Sequence, residues 1–353
     1  MKRTIAIILT LFSLIMMITG CQPADSTTLA TTAASTTTIA TIAETTETAA
    51  APNFPVTVKN AAGDDITIDS APQAIVITNV WAAEILLDLI DSTRIKGLSA
   101  WGDNEAVSAV ADKAADVEAR VTTGKPEGIV ALKPDMMIID SFSDFDGSLS
   151  KTLTEAGITV LMMDSPTNFD QIKAAIATLA AAVGETAKGQ TMISEIDSKL
   201  QAVAAKTASL TADQKLSVMF YDAYLDMNGN DTGMLCAYGK GSPFDAIAAA
   251  AGLVNVCDAV TYSQVSKEKV VAEWKPDILI VSGLVFNADF SVQDDQGAKM
   301  IAAIKASDLL TSLPAVQNDK ILALTAKYAG STSQYMADAV FELAAAAYPE
   351  LFK

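Results

Sequence analysis

Histidine is absent from this chain of 353 residues, and its absence excludes much of the usual chemistry of enzymes. Ser-His-Asp triads, Cys-His pairs, His-ligated metals and His-based proton shuttles all need an imidazole. Carboxylates are plentiful, but no motif pairs two of them for acid–base catalysis. Residues 239–242, Gly-Lys-Gly-Ser, could hold an anion at a helix start, yet they lack the spacing of nucleotide-binding motifs. The residue types therefore favour a binding protein over an enzyme, with no cofactor and no metal site.

Aromatic residues make up only 6% of the chain, yet they concentrate directly after the segments that we predict as strands. In two-lobed α/β proteins, ligands bind outside the carboxyl ends of the strands. Rings that carry polar atoms suit a large, flat or apolar ligand, and the alternative is that they close the edges of the two cores. The candidate ligand-binding residues are Trp81, Trp101, Ser141 and Phe142 in the first half of the chain and Tyr221, Tyr224, Tyr238, Phe286 and Tyr328 in the second.

Predicted strands and helices alternate from Phe54 onward, in two blocks. Between the blocks, apolar residues repeat with a period near 3.6 and no proline interrupts them, which predicts one long connector helix. The predicted fold class is α/β, with two lobes that each contain a mainly parallel sheet flanked by helices. The predicted domains are the N-terminal lobe over residues 53–167, the connector helix over 168–210 and the C-terminal lobe over 211–353.

The two lobes share a sequence phrase. Residues 126–138 and residues 267–280 each contain a glutamate, an apolar pair and then Lys-Pro-Asp running into a predicted strand. The proline ends a short helix, and the aspartate turns the chain into the sheet. Glu127 and Glu268 lie near the positive ends of their helices, where the helix dipole stabilises them. We therefore expect both carboxylates to point into solvent at corresponding positions.

With this repeated phrase, the chain resembles the substrate-binding proteins of ABC importers for iron–siderophores, haem and cobalamin, in which a helical backbone joins two lobes. The predicted hairpin at Ala62-Gly63, the helix through Glu84 and the segment 251–256 fit the same family, over roughly residues 54–352. The resemblance implies capture of an iron–siderophore, or a related iron complex, in the cleft between the lobes and delivery to a membrane permease and its ATPase. It also implies that Glu127 and Glu268 dock on arginines of the permease, and the alternative is that they only serve the helix dipoles.

The charges of the chain narrow the choice of ligand. Ferric catecholates are highly anionic and need clustered cations, but Arg94 and Arg120 are the only arginines outside the first 20 residues. A neutral ligand, such as a ferric hydroxamate or a corrinoid like cobalamin, fits better. Haem could be ligated only through tyrosine, because histidine is absent. We expect iron to arrive inside its chelator. A surface sensor or adhesion module and an enzyme are the remaining alternatives.

The first 20 residues have the pattern of a targeting segment. Two basic residues precede an apolar run over residues 5–18, and Thr-Gly-Cys21 follows. This pattern resembles a bacterial lipoprotein signal, which implies cleavage before Cys21 and lipidation of its sulfur, and the alternative is an ordinary secretory signal. Residues 21–52 are predicted to be a lipid-anchored flexible linker, because Thr and Ala fill 20 of the 31 positions from 22 to 52. The expected location is the extracytoplasmic face of the cell membrane, reached through the Sec route.

Charge and cysteine content bear on partners and cross-links. The net charge of −18 argues against nucleic acid, whose phosphates need clustered lysine and arginine, and we expect a monomer. Cys236, in a predicted loop, and Cys257, after a predicted helix, are the cysteines of the folded part. An exported protein permits a disulfide between them, and two buried thiols are the alternative.

Overall fold

The computed structural model describes residues 54–225, 231–286 and 291–353. The predicted signal peptide over residues 1–20, the lipidation site Cys21 and the linker over 21–52 lie outside the described residues. The described chain forms two α/β lobes, each built on its own sheet, as predicted from the alternation of strands and helices. Within these three ranges, no helix is both long and apolar enough to cross a bilayer.

The first lobe contains a parallel sheet with helices on both faces. Its elements are β1 Val56–Lys59, β2 Asp65–Ile68, β3 Ile75–Ile77, α1 Val80–Leu89, β4 Ile95–Ser99, α2 Ala111–Ala114, β5 Ala119–Val121, α3 Pro126–Ala131, β6 Met136–Asp140, α4 Ser148–Glu155 and β7 Thr159–Met163. The sheet has the order β5-β4-β3-β6-β7, and all its pairings are parallel. Strand β3 is buried throughout, as expected for a central strand covered on both faces. The chain order reverses between β3 and β6, which leaves a crevice at the carboxyl ends of these strands.

The hairpin predicted at the start of the fold is confirmed. Strands β1 and β2 pair antiparallel, with Val56 opposite Ile68. Gly63, in the turn between them, has φ of 86°, a conformation that residues with a Cβ rarely adopt.

The connecting region contains two helices, α5 Phe169–Val183 and α6 Thr186–Thr207, and not the single helix predicted over 168–210. Gly184 ends α5 in the left-handed conformation, with φ of 81°. Gly189 lets α6 pack closely on α5. A Cβ at this position would lie 2.4 Å from the Cβ of Ala180. The apolar period of 3.6 continues through both helices, so the pattern did not reveal the turn between them. The 22 residues of α6 form the long helix between the lobes.

The second lobe has a main sheet, which combines parallel strands with one antiparallel strand, and a separate pair of antiparallel strands outside that sheet. Its elements are β8 Ser217–Leu225, β9 Asp231–Tyr238, α7 Pro243–Ala250, β10 Val254–Asn255, β11 Tyr262–Val265, α8 Lys267–Lys269 followed by a π-helical turn Val270–Trp274, β12 Ile278–Val281, β13 Leu284–Phe286, β14 Val292–Asp294, α9 Ala298–Lys305, α10 Pro314–Gln317, β15 Ile321–Ala323, α11 Ala326–Ala329 and α12 Met336–Ala347. The sheet has the order β11-β9-β8-β12-β15, and β10 also pairs with β8. Strand β9 is antiparallel to both β8 and β11, so β11 runs in the same direction as β8. The chain order reverses between β8 and β12, as it does between β3 and β6.

The cysteines of the folded part are two buried free thiols. Cys236 lies on β9, so the loop predicted around it is wrong. Burial raises the pKa of the Cys257 thiol, which favours its protonated form. Of the two alternatives left open by the sequence, the structure has the buried thiols.

The repeated Lys-Pro-Asp phrase folds alike in the two lobes. The lysine of each phrase has a positive φ, 49° in the first lobe and 43° in the second. The carboxylate of Asp135 accepts a hydrogen bond from the backbone N–H of Ala74 at 3.0 Å, just before β3. The carboxylate of Asp277 accepts one from the backbone N–H of Ser217 at 2.9 Å, at the start of β8. In both lobes, the aspartate therefore ties the strand that it precedes to the neighbouring strand.

One hydrophobic core extends through both lobes. It includes buried residues of β3 and α1 in the first lobe, of α5 and α6, and of β8, β12 and α12 in the second. An ion pair between Lys199 Nζ and Asp338 Oδ1, 2.7 Å apart, also joins α6 to α12. Because close-packed interiors resist rearrangement, this shared core opposes large changes in the orientation of the lobes.

Candidate ligand-binding cleft

A pocket of about 260 Å³ lies at the carboxyl ends of β8 and β12, at the point where the chain order of the second sheet reverses. Four rings follow one another from its wall outward, and the first three of them line the pocket. The ring centroids are 4.5 Å apart for Phe220 and Phe244, 4.4 Å for Phe244 and Tyr238, and 4.6 Å for Tyr238 and Tyr262. We call these four residues the aromatic row. Aromatic faces of this kind can pack against a flat or apolar ligand.

The outer end of the aromatic row is polar. Tyr262 Oη donates a hydrogen bond to Asp222 Oδ2 at 2.7 Å and lies 3.2 Å from Tyr224 Oη. Burial raises the pKa of the Asp222 carboxyl group, and the hydrogen bond from Tyr262 opposes that rise. Burial also raises the pKa of Tyr238 to about 12. Tyr221, which lines the same pocket, has a buried Oη without a hydrogen-bond partner among the described residues, and burial raises its pKa too.

A second pocket, of about 300 Å³, lies at the corresponding place in the first lobe. Residues 78–81, which follow β3, and Asp140, which ends β6, line it together with Trp101 and residues 330–332 of the second lobe. Gly330 lines both pockets, so the two pockets are adjacent, and the pocket of the first lobe is lined by residues of both lobes. We call the two pockets together the cleft.

The charged residues that line the two pockets are both aspartates, Asp140 and Asp222, and the described lining contains no lysine or arginine. The two arginines considered from the sequence are engaged elsewhere, and Arg94 Nε donates to the backbone carbonyl of Pro72 at 2.9 Å. Arg120 Nε donates to Asp103 Oδ2 at 2.6 Å, and Lys240 Nζ donates to the backbone carbonyl of Asn255 at 2.8 Å. The cleft therefore favours neutral or positively charged ligands. In the described ranges, no group of three or more His, Cys, Asp or Glu residues could hold a metal ion.

The structure places some of the predicted ligand-binding residues in the cleft. Tyr224 contacts the outer end of the aromatic row without lining a pocket. The predicted residues that line the pockets are Trp81, Trp101, Tyr221 and Tyr238.

The other predicted residues lie outside both pockets. Ser141 Oγ donates to Asp164 Oδ1 at 2.5 Å. Phe142 follows β6 with 93% of its surface exposed, and Phe286 on β13 is also exposed. Tyr328 stacks on Tyr335, with the ring centroids 6.4 Å apart.

Sequence reasoning missed several lining residues because it searched for aromatic rings directly after strands. Thr78 and Asp140 are polar residues at strand ends, and Asp222 lies within β8. Phe244 lies in the first turn of α7, and nothing in the period of that helix shows that its ring contacts the sheet edge. Polar residues at the ends of β3 and β6 were the available signal.

A buried carboxyl group joins the two lobes next to the pocket of the first lobe. Glu84 of α1 is completely buried, and its Oε1 accepts a hydrogen bond from the backbone N–H of Ala109 at 2.8 Å. Its Oε2 accepts hydrogen bonds from the hydroxyl groups of Ser331 and Ser333 in the second lobe, the latter at 2.7 Å. Burial raises the pKa of Glu84, although these hydrogen bonds oppose the rise. We call Glu84 and the two serines the inter-lobe network.

Glu127 and Glu268 occupy corresponding places in the two lobes. Each is the second residue of a short helix, in α3 and α8 respectively. Helix α3 follows the carboxyl end of β5, and α8 follows the carboxyl end of β11. Both side chains are exposed, and neither forms a hydrogen bond or an ion pair with another described residue.

Comparison with known proteins identifies the class of protein that this fold and cleft define. A family model described as periplasmic binding protein matches residues 75–328, a range that includes both sheets and most of the residues that line the two pockets. The chain belongs to the periplasmic binding protein family, which confirms the resemblance noted in the sequence. The family is a class of binding proteins and not of enzymes.

Individual relatives are distant but cover most of the fold. The uncharacterized ABC transporter substrate-binding lipoprotein YvrC of Bacillus subtilis is 23% identical over 304 residues, which are 85% of this chain and 88% of that protein. A cobalamin-binding protein of Halobacterium salinarum is 26% identical over 238 residues, 65% of this chain and 58% of that protein. The periplasmic heme-binding protein RhuT of Roseiflexus superposes with a TM-score of 0.62 at 21% identity, over 79% of this chain and 99% of that one.

Proposed function

We propose that this protein is the extracytoplasmic substrate-binding component of an ABC importer, which captures a hydroxamate-type iron–siderophore in the cleft and delivers it to a membrane permease. The observation that carries the proposal is a cleft walled by aromatic rings and aspartates, without a lysine or arginine in its described lining. The relative YvrC, which is named as an ABC transporter substrate-binding lipoprotein, supports the importer role.

The charge of the cleft supports the choice of a neutral or cationic chelate. A negative group of a ligand about 4 Å from Asp222 would be disfavoured by about 4 kcal/mol at an effective dielectric constant of about 20. Ferric catecholates carry several such charges, and haem carries two propionates. Ferric hydroxamates are neutral or positive and keep the metal inside the chelator, so the protein need not supply a metal ligand.

Two alternatives within the same importer class are a corrinoid and haem. A corrinoid is large, with a ring edge of neutral amide groups, and the cobalamin-binding relative from Halobacterium salinarum supports it. Haem is supported less well, although the relative RhuT is named as a heme-binding protein. Binding of haem iron by a tyrosine would need a phenolate, and burial raises the pKa of both Tyr221 and Tyr238.

The glutamates of the repeated phrase are proposed to contact the permease, one from each lobe. Glu127 and Glu268 both lie beyond the carboxyl ends of strands, the edge at which the pockets lie. Their exposure and lack of internal partners leave them available for arginines of a partner. The lipid anchor at Cys21 and the linker over 21–52 are proposed to hold the binding protein near that permease. A surface sensor or adhesion module would share the cleft without this contact.

A screen of ligands by thermal unfolding tests the proposed function. The full chain is melted with ferrioxamine B, cyanocobalamin, haem and ferric enterobactin, which represent hydroxamate, corrinoid, haem and catecholate ligands. A true ligand at 100 times its Kd adds about 2.7 kcal/mol to the free energy of unfolding, so the melting temperature rises with dose. We expect the largest shift with ferrioxamine B. Binding of ferric enterobactin or haem alone would show that the charge argument is wrong.

A further inference from the structure

Three residues within a four-residue segment of the first lobe have buried side-chain polar atoms without a hydrogen-bond partner among the described residues. Thr78 Oγ1, Asn79 Nδ2 and Trp81 Nε1 form no hydrogen bond with any described residue. Asn79 and Trp81 are themselves only 7% and 5% exposed. All three residues line the pocket of the first lobe. Buried polar groups are nearly always hydrogen-bonded, so three unpaired ones around a single pocket indicate a missing partner.

The unpaired atoms share one chemical character. Trp81 Nε1 can only donate, Asn79 Nδ2 carries two donor hydrogens, and the Thr78 hydroxyl can donate. Asn79 is also the N-cap of α1, and its Oδ1 accepts the backbone N–H of Ala82 at 3.2 Å, which directs its amide nitrogen away from the helix. The site lies at the positive end of a 10-residue helix, so its partner must be an acceptor oxygen.

The charge of the same pocket decides which oxygen fits. Asp140 lines the pocket, and its Oδ1 already accepts the backbone N–H of Ser143 at 2.7 Å. An anionic group in the pocket would face Asp140, whereas a neutral carbonyl oxygen takes the donors without that repulsion. An amide that carries an N–H could also donate to Asp140.

We propose that Thr78, Asn79 and Trp81 form a subsite for the carbonyl oxygen of an amide or hydroxamate group of the ligand. The proposal rests on the proposed function, because it assigns a recognition element to the chelate captured in the cleft. The three atoms are covered in this conformation, so the ligand oxygen reaches them after a local rearrangement of the covering side chains. Binding therefore changes the environment of the Trp81 indole.

The first experiment measures affinity. The full chain and its W81F and N79D variants are titrated with ferrioxamine B and with cyanocobalamin, both of which carry amide groups. W81F removes the indole donor and keeps an aromatic ring, and N79D removes the amide donors and keeps a capping oxygen. We expect the Kd to rise about tenfold for W81F and more for N79D. W274F is the matched control, because Trp274 packs against Lys269 outside the cleft, and its Kd should not change. Equal Kd values for all four proteins would overturn the subsite.

The second experiment does not depend on the chelate. The chain has three tryptophans, so its ¹⁵N-labelled form gives three indole N–H resonances, which W81F and W274F assign. Acetohydroxamic acid and N-methylacetamide should shift the Trp81 resonance, and acetate at the same concentration should not. No shift with either neutral probe, or a larger shift with acetate, would overturn the subsite. A shift with the neutral probes in a protein that binds no chelate would leave the subsite standing and reject the proposed function instead.

Discussion

The two walls of the cleft lie at equivalent places in their sheets but differ in chemistry. Each wall is formed where the chain order reverses, between β3 and β6 in the first lobe and between β8 and β12 in the second. The first wall presents three unpaired donors and carries one aspartate. The second wall presents the aromatic row, in which Tyr262 Oη is hydrogen-bonded to Asp222 and to Tyr224, and Tyr221 Oη is the one buried side-chain atom of this wall without a partner among the described residues. We interpret the first wall as the polar recognition surface and the second as the apolar contact surface.

This difference shows how one architecture, used twice, can divide the recognition of a ligand. The topology places both walls, since ligands bind where open α/β sheets switch direction. The side chains at the strand ends then give each wall its chemistry. Outside the cleft, the repeated phrase keeps the lobes alike, because each copy has an exposed glutamate and an aspartate that ties two strands together.

The largest effect is expected where the lobes are alike, at the proposed docking glutamates. Reversing both charges in the E127R/E268R variant replaces attraction to permease arginines with repulsion, and like charges across an interface cost several kcal/mol. We expect uptake of the ligand into cells to fall at least 100-fold while the Kd for the ligand stays unchanged. Uptake of radiolabelled iron chelate in cells that express the variant measures this.

The matched control reverses the charge of one other exposed glutamate in each lobe, at the amino ends of the strands. Glu118 precedes β5 and Glu273 lies in the turn before β12, and both are exposed. The E118R/E273R variant should transport normally. Normal transport by E127R/E268R would contradict the docking role and favour a sensor or adhesion module.

A smaller effect is expected from removing one ring from each wall. Phe244 touches two other rings of the aromatic row, whereas Trp101 on the first wall is 47% exposed. Because ring contacts contribute about 0.5–1.5 kcal/mol beyond their buried area, F244L should weaken binding about tenfold, and W101L should weaken it less. Calorimetric titration with the ligand identified in the screen gives both Kd values. A larger loss for W101L would reverse our assignment of apolar contact to the second wall.

The paired aspartates of the repeated phrase allow a comparison of stability. Asp277 is half-buried, and its Oδ2 accepts both the backbone N–H of Ser217 and its hydroxyl, at 2.9 and 2.7 Å. Asp135 is exposed and accepts two backbone N–H groups. Hydrogen bonds to charged groups contribute about 1.5–3 kcal/mol, and less when exposed, so D277A should cost about 2 kcal/mol and D135A about 1 kcal/mol. Urea unfolding of each variant measures these costs, and equal values would show that exposure does not separate the two sites.

The repeated phrase also shows why much of the fold could be predicted. Proline, glycine and the apolar period act within a few residues, so the first hairpin, most parallel strands and the short helices at Glu127 and Glu268 were recognisable from local pattern. Strand β9 was not, because its first four residues are exposed and include Gly233, so no alternation marks it. The turn at Gly184 was hidden for the opposite reason, since the apolar period continues across it.

The candidate site was less predictable than the fold. Trp81, Trp101, Tyr221 and Tyr238 were found because rings at strand ends are conspicuous. The inter-lobe network was not found, because Glu84 and Ser331 are 247 residues apart in sequence. No local pattern shows that a glutamate on an apolar helix will be met by two hydroxyl groups from the other lobe.

The inter-lobe network is where the two lobes meet, and it gives the smallest of the expected effects. Burial raises the pKa of Glu84 above its ordinary value of 4.5, so the folded protein retains a proton that the unfolded chain releases. The stabilisation from that proton is complete below pH 4.5 and is lost as the pH rises through the folded-state pKa. In E84Q the amide cannot ionise, so the variant should gain stability relative to the wild type as the pH is raised from about 4.5 to 7. Melting temperatures of both proteins across this range measure the difference. A difference that does not change with pH would show that Glu84 has the same protonation equilibrium in the folded and unfolded chains, and that the network joins the lobes through hydrogen bonds to an ordinary carboxylate.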